Sequence, residues 1–402
     1  MDEYVRKIYE SMVEANPDYI WIDDDVRFGH KSIGYACFCD NCMDIFNKEF
    51  NTDYSRAELK KAFSEGKTDD KLVIRNLWLQ HNRNTVNNLF AYIEHLVHTL
   101  NPEIKLGFMT GDRFFEGYDF NNWAQTLSGN NRTEVSWRPG GGFYTDEVNS
   151  GLAMKAHDIG RQVSVLPADM RCIESEIECF PYQRLKKGAN IIALEAASYI
   201  ASGCTGVAYN VLSFNNEDLD EYEPLLELLS KRRPFFDLIV QHLGRTPIKG
   251  IQTFWDKNSA VSGNIESGYW NGWPGLVSHE LYNIGLPASY SNTNADVFIL
   301  GKNNIYNLSS REIIGLLSKG VYMDVEALNL LNEKGYGEYT GFKVAGSRTD
   351  DCIERLTDHP LNGKFAGRER DTRQSFWDTP PISLKRRIRR LKFYLPNSTP
   401  PI

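Results

Sequence analysis

The densest chemistry in the chain is Cys37-x-Cys39-x-x-Cys42. Three soft thiolates so close in sequence can wrap one tetrahedral zinc ion, with Zn–S bonds of about 2.3 Å. A closed structural site needs a fourth donor, and no His or Cys stands at the usual spacing; His30, upstream, is nearest. The competing reading is three unrelated thiols. The other cysteines, Cys172, Cys179, Cys204 and Cys352, are scattered, as buried small hydrophobes commonly are.

Two groups of carboxylates come next. Asp23-Asp24-Asp25, with Arg27 close behind, follows the apolar run Ile20-Trp21-Ile22, where a strand would pass into a loop. Successive strand residues alternate faces, so Asp23 and Asp25 share one direction and Asp24 takes the other. Catalytic groups of parallel α/β folds sit at that carboxyl edge. Glu174-x-Glu176-x-Glu178 has period-two spacing, which aims all three carboxylates at one face. Like charges in a row repel, and repulsion raises a carboxyl pKa, as a general acid near neutral pH requires. Two such clusters on different strand ends fit glycoside hydrolysis, with carboxyls ~5–5.5 Å apart for retention of configuration. The bland alternatives are a surface charge run for the aspartates and an exposed edge strand for the glutamates. Phe108, Phe114, Phe115, Trp137, Phe143 and Tyr144 could stack on pyranose rings, and Arg113, Asn121, Arg138 and Asn210 could bond hydroxyls.

Positioning those groups requires alternating strands and helices. Helical spacing covers 4–14, 72–100, 120–127, 149–159, 188–202 and 218–243. Strand patterns cover 18–22, 104–109, 134–137, 163–166 with 170–178, and 206–212. These make five strand–helix units of a mainly parallel sheet, fewer than the eight that close a barrel. After Gly244-Arg245-Thr246-Pro247 a smaller α/β unit begins, with strands at 295–300 and 320–323 and helices at 309–318 and 324–333. From about residue 345 periodicity fades. The run Leu384–Lys392 is basic with apolar interruptions, and reads as a solvated helix or frayed tail. The expected division is therefore 1–245, 246–345 and 346–402.

Composition narrows the class. The 402 residues carry 45 Lys plus Arg against 53 Asp plus Glu, a formal charge of −8, which argues against a general nucleic-acid binder. No stretch approaches the ~18 apolar residues of a membrane span. The first residues lack the basic-then-apolar order of a signal peptide, and the compartment stays open. A 12% aromatic share in a soluble acidic chain suits an enzyme or binder for a polar ligand that stacks on rings, sugars above all.

The segment Trp21-Ile22-Asp23-Asp24-Asp25-Val26-Arg27-Phe28-Gly29-His30, followed by Cys37-x-Cys39-Asp40-Asn41-Cys42-Met43-x-x-Phe46, resembles the family-42 glycoside hydrolases, mostly β-galactosidases. The resemblance implies a (β/α)8-barrel-type catalytic region followed by a flavodoxin-like α/β domain. It places Asp25 on the acid/base that ends the fourth barrel strand, with Asp24 on the preceding Asn. Asp replaces the family's Glu there and reaches one methylene less far. Cys172-Ile173-Glu174-Ser175 resembles the seventh-strand motif that carries the nucleophile, making Glu174 the first choice and Glu176 the second. Lys186-Lys187-Gly188, the helix to Ala201-Ser202-Gly203 and the strand 205–209 continue the likeness through the eighth strand.

In the family the cysteine motif binds structural zinc, with a fourth cysteine upstream; the resemblance implies zinc here and no catalytic cofactor. Residues 248–344 resemble the domain that mediates trimerisation, through Gly285-Leu286-Pro287, 295–300, 308–312 and 318–321, so a homo-oligomer is expected. Aligned this way, strands one to three of the barrel are expected to be missing from this chain. Asp24, Arg27, Arg113, Trp137 and Asn210 are the expected substrate-binding residues, for a glycoside or an oligo- or polysaccharide. The rival expectation is a non-catalytic carbohydrate-binding or degenerate homologue.

Overall fold

The computed structural model describes residues 2–24, 26, 37–111, 117–148, 150–213, 216–246, 249–262, 281, 286, 288–290, 294–347, 353–371 and 382–386. The chain starts with helix α1 (Asp2–Glu14) and, past the Asn16-Pro17 break, strand β1 (Tyr19–Ile22). Helices α2 (Asp40–Phe50), α3 (Arg56–Ser64) and α4 (Thr68–Leu100) follow. Strict alternation then gives β2 (Lys105–Thr110), α5 (Phe120–Ser128), β3 (Val135–Pro139), α6 (Ser150–Val163), β4 (Cys172–Glu178), α7 (Ala189–Ala201), β5 (Gly206–Asn210) and α8 (Glu223–His242).

The five strands lie in chain order in one parallel sheet, curled into a partial barrel. The expected count of strand–helix units holds. The strand expected at 163–166 does not form: Val163 closes α6, and the next backbone N–H groups bond back to it as turns, Ser164 to Gly160 and Leu166 to Val163. Its apolar side chains had a second way to be buried, as the end of a helix packed on the sheet.

Period-two alternation sorts the strand residues onto two faces. The register aligns Ile22 with Phe108, Phe108 with Trp137 and Trp137 with Ile173. This row, with Ile20, Leu106, Val135 and Ile177, faces the helices. It packs on Val86, Phe90, Ile93, Val97, Trp123, Leu127, Ile159, Ile192 and Tyr199 in the main core. Fully burying each large apolar side chain contributes about 1.5–3 kcal/mol, so this layer fixes the strand register. The opposite row, Trp21, Gly107, Ser136 and Cys172, continues along β4 as Glu174, Glu176 and Glu178, and forms the inner face of the curl.

The two helices after β1 were not expected from the sequence. Each is short and packs on α4 rather than on the sheet. Met43, Phe46, Leu59 and Phe63 form a separate core around Trp78 of α4. A capping box between Ser55 and Glu58 starts α3, and Arg75 donates from Nε and Nη2 to the Phe63 carbonyl at its end.

The compact units divide between Ala295 and Asp296, beyond the composition change at 245/246. The segment after residue 249 joins the first unit because its polar groups are committed there. Arg83 donates to the Lys257 carbonyl at 3.1 Å, Lys257 pairs with Asp119 at 2.5 Å, and Arg75 donates to the Val261 carbonyl at 3.0 Å. Trp255 packs edge-on against Tyr118, and the strand Ile251–Thr253 pairs in parallel with Ala288–Ser289.

In the second unit the strand Val297–Leu300 pairs in parallel with Gly320–Met323. Between them lies the helix Ser310–Leu317, begun by a Ser309–Glu312 capping box; Asp324 caps the next helix, Val325–Glu333. Residues 346–402, expected to be irregular, contribute antiparallel pairs: Phe342–Ser347 with Ile382–Arg386, and Ile353–Arg355 with Glu369–Asp371. Part of the basic run is thus strand; its remainder lies outside the described residues.

Candidate functional site

Strand β4 carries Glu174, Glu176 and Glu178 on the inner face, each partly buried, while Ile173, Ser175 and Ile177 between them are buried on the other face. The spacing read from the sequence therefore does place the three carboxylates together. Gly206 stands opposite Glu174, where an added Cβ would lie 3.3 Å from Glu174 Oε1. Asn210, at the end of β5, donates from Nδ2 to Glu176 Oε1 at 3.4 Å. Glu178 is the last residue of the strand and lies at its carboxyl edge. Burial raises its carboxyl, Glu176 raises it further, and Asp24 adds to the same direction. Lys155 and Lys187 oppose them.

Asp24, just past the end of β1, thus acts on Glu178 from the same carboxyl edge of the sheet, in smaller measure than burial and Glu176. Asp24 is set in a turn: its N–H donates to Asp23 Oδ1 at 2.7 Å, and the Val26 N–H donates to the Asp23 carbonyl. Asp25, Arg27 and His30 lie outside the described residues, as do Arg113, Phe114 and Phe115. Asp24, Glu176 and Asn210 of the expected set share this region with Glu178.

Trp137 does not. It is fully buried on the helix-facing side, 4.9 Å from the Phe120 ring and edge-on to Phe108 at 5.3 Å. Its register partner in β2, Phe108, is buried in the same layer, so neither ring can stack on a sugar. Odd and even positions of a strand are equally close in sequence, and only the direction of the core separates them. Trp21 of β1 is on the inner face, with Tyr19 two residues before it on the same side. The Trp21 ring lies so close over Gly107 that a Cβ there would sit 2.6 Å from it, and the Arg138 guanidinium covers it at 4.3 Å. Tyr144 is exposed and packs on Phe180 just past β4.

Behind the β4 edge is a group of charges that the sequence reading did not select. Glu195 of α7 is fully buried, with Lys187 Nζ 2.5 Å from Oε2 and the Tyr199 hydroxyl donating to Oε1 at 2.5 Å. Lys155 of α6, also buried, lies 3.9 Å from Glu195 Oε1 and donates to the Glu176 carbonyl at 2.6 Å. Burial lowers the Lys155 ammonium to about 8 against the pull of Glu195, and burial raises the Glu195 carboxyl. The signal was present in the pattern: Lys155 falls on the buried stripe of α6 with Ala156, Ile159 and Val163, and Glu195 is the single charge in an otherwise apolar helix.

The three cysteines of the first motif converge, their sulfurs all within 4.8 Å of one another. Cys39 is the residue before α2, and Cys42 sits in its first turn with its sulfur 3.5 Å from that of Cys39. The backbone of Cys42 lowers the Cys39 thiol, as a helix start does for an anion, whereas burial and the other two sulfurs push Cys42 up to about 12. Three such donors fit three corners of a tetrahedral zinc site. Phe38 stacks on Trp78 at 4.6 Å and anchors the motif to α4.

No family model and no curated protein matches the chain. Solved structures do. The cold-adapted β-galactosidase from Rahnella sp. R3 is 14% identical with a TM-score of 0.56, over 96% of this chain and 64% of that one. Gan42B, a GH42 β-galactosidase, is 15% identical with a TM-score of 0.54, over 96% and 63%. The β-galactosidase from Bacillus circulans sp. alkalophilus is 12% identical with a TM-score of 0.51, over 89% and 60%. The chain thus spans less than two thirds of the length of these proteins, and at such identity the likeness is one of fold. That fold is the β-galactosidase type, with part of its barrel represented by the curled five-stranded sheet.

Proposed function

We propose that the chain is a glycoside hydrolase that cleaves by a retaining, two-carboxylate mechanism. The observation that carries this reading is the row of three partly buried carboxylates, Glu174, Glu176 and Glu178, along one face of β4 in a curled parallel sheet. In this scheme Asp25 is the acid/base. The nucleophile comes from β4, with Glu178 ahead of Glu176 and Glu174 because it ends the strand at the carboxyl edge of the sheet. Attack of an ionised β4 carboxylate on the anomeric carbon expels the leaving group as Asp25 gives it a proton; water, deprotonated by Asp25, then releases the sugar. Asn210 and the Arg138 guanidinium, seated on the Trp21 ring, would contact the sugar. Galactosides are the first substrates to try, because the solved structures sharing the fold are β-galactosidases.

Cys37, Cys39 and Cys42 would hold a structural zinc, remote from the chemistry, that ties the start of α2 to the loop before it.

Aryl galactosides and glucosides incubated with the full chain test the reading, with Glu178→Ala as control. Turnover that Glu178→Ala abolishes, and that azide restores by giving the glycosyl azide of inverted configuration, supports it. A folded chain that binds sugars without cleaving any aryl glycoside would make it a carbohydrate-binding homologue instead.

A further inference from the structure

Resting on the glycosidase reading, we propose that Lys155 is a positioning residue for the β4 nucleophile, locking the strand end through the Glu176 carbonyl and keeping the Glu178 carboxylate charged. Three observations converge on it. The Lys155 ammonium donates to the Glu176 carbonyl at 2.6 Å, midway between the two candidate side chains on the same strand. A main-chain carbonyl in that position would otherwise face a fully buried space, where an unmade hydrogen bond is costly. The second observation is a charge imbalance. Lys155 and Lys187 are both buried, and among the described residues the carboxylate that pairs with both, Glu195, sits far closer to Lys187, at 2.5 Å against 3.9 Å. One positive charge is left over, and the nearest negative groups besides Glu195 that act on Lys155 are Glu178 and Glu176. The third is the need itself: burial, Glu176 and Asp24 all favour the protonated form of Glu178, and a nucleophile must be ionised. Only Lys155 and Lys187 act the other way.

The groups facing the Lys155 ammonium are Glu195 and Tyr199 from α7, Lys187 from the turn before it, Cys204 after it, and Glu176 and Glu178 from β4. A cation buried this deeply is affected mainly by its neighbours rather than by solvent. Its loss therefore transmits to the carboxylates with little screening.

The experiment is a pH titration of the Glu178 side-chain carboxyl by 13C NMR, in the full chain with labelled glutamate. Lys155→Met should raise the Glu178 midpoint by about one pH unit, and Lys155→Arg, which keeps the charge, should leave it near that of the unmodified protein. In the unmodified protein the Glu178 signal should show a second inflection as Lys155 loses its proton near pH 8. A Glu178 midpoint equal in Lys155→Met and the unmodified protein overturns the proposal. If Lys155→Met does not fold, a Glu178 signal flat through the Lys155 titration in the unmodified protein overturns it equally. The readout does not depend on turnover. A midpoint that moves in a chain inactive on every glycoside would leave the coupling standing and remove the glycosidase reading, whereas turnover with an unmoved midpoint would do the reverse.

Discussion

Burial and Glu176 raise the carboxyl of Glu178 at the end of the fourth strand, and Asp24, just past the end of the first, adds to the rise. Two strands of the sheet separate those of Asp24 and Glu178, and the register does not pair them. Their interaction requires the sheet to curl, bringing the carboxyl ends of β1 and β4 toward one another across the inner face. A flat sheet would hold strands three apart roughly 14 Å from each other, at ~4.7–4.9 Å per step.

The order of importance along β4 is the first prediction. Glu178→Gln should reduce hydrolysis of aryl glycosides by on the order of 10³-fold or more, with Glu176→Gln next and Glu174→Gln least. Steady-state kinetics on the three variants decide it. An order led by Glu174 would return the nucleophile to the position suggested by the sequence motif.

The pH profile should be displaced on its acid side. Burial and two neighbouring carboxylates raise Glu178, so it loses its proton above the usual glutamate range. The acid limb of kcat/KM should lie above the ordinary value of about 4.3, and move higher still in Lys155→Met.

Lys155 gives a stability prediction of definite sign. Burial holds its folded-state pKa at about 8, below the ordinary lysine value of 10.5. Above pH 8 the unfolded chain therefore binds the extra proton and the folded one does not, so stability from this group rises from about pH 8 to 10.5. Urea unfolding of the unmodified protein relative to Lys155→Met should show a gain on the order of 3 kcal/mol across that window. A constant difference would show that the ammonium is not desolvated.

Trp137 and Trp21 should separate stability from binding. Trp137→Ala removes a fully buried ring and should cost about 3–5 kcal/mol in denaturant unfolding, with KM unchanged in whatever protein still folds. Trp21→Ala should leave the core intact and raise KM roughly three- to tenfold, because the Arg138 guanidinium loses the ring on which it is seated.

The cysteine cluster should bind one zinc per chain, measured by elemental analysis of protein purified without chelator. Cys39→Ser should remove the metal and lower Tm by several degrees. Activity per folded molecule should be retained, since the metal would hold α2 rather than touch substrate.

Much of this protein was legible one segment at a time. Period-two spacing in Cys172–Glu178 fixed that three glutamates share a face, and the short apolar runs between helices fixed a parallel sheet of five strands. The spacing of Cys37, Cys39 and Cys42 was enough to bring three sulfurs together, because a tight turn into a helix leaves them little freedom. These are local properties, set by backbone geometry over a few residues. Whether Trp137 or Trp21 faces the inner surface was not local: alternation defines two faces, and only the helices packed on one of them decide which is core. Nor were the surroundings of the β4 glutamates local, since burial, Lys155 and Lys187, brought in by packing from other segments, act on Glu178. The placement of residues 249–262 in the first unit depended on buried arginines of α4 that needed carbonyl partners from far along the chain. The Lys155–Glu195–Lys187 group is the extreme case. Each of its charges looks misplaced within its own segment, and only three-dimensional packing supplies the opposite charge that makes its burial tolerable.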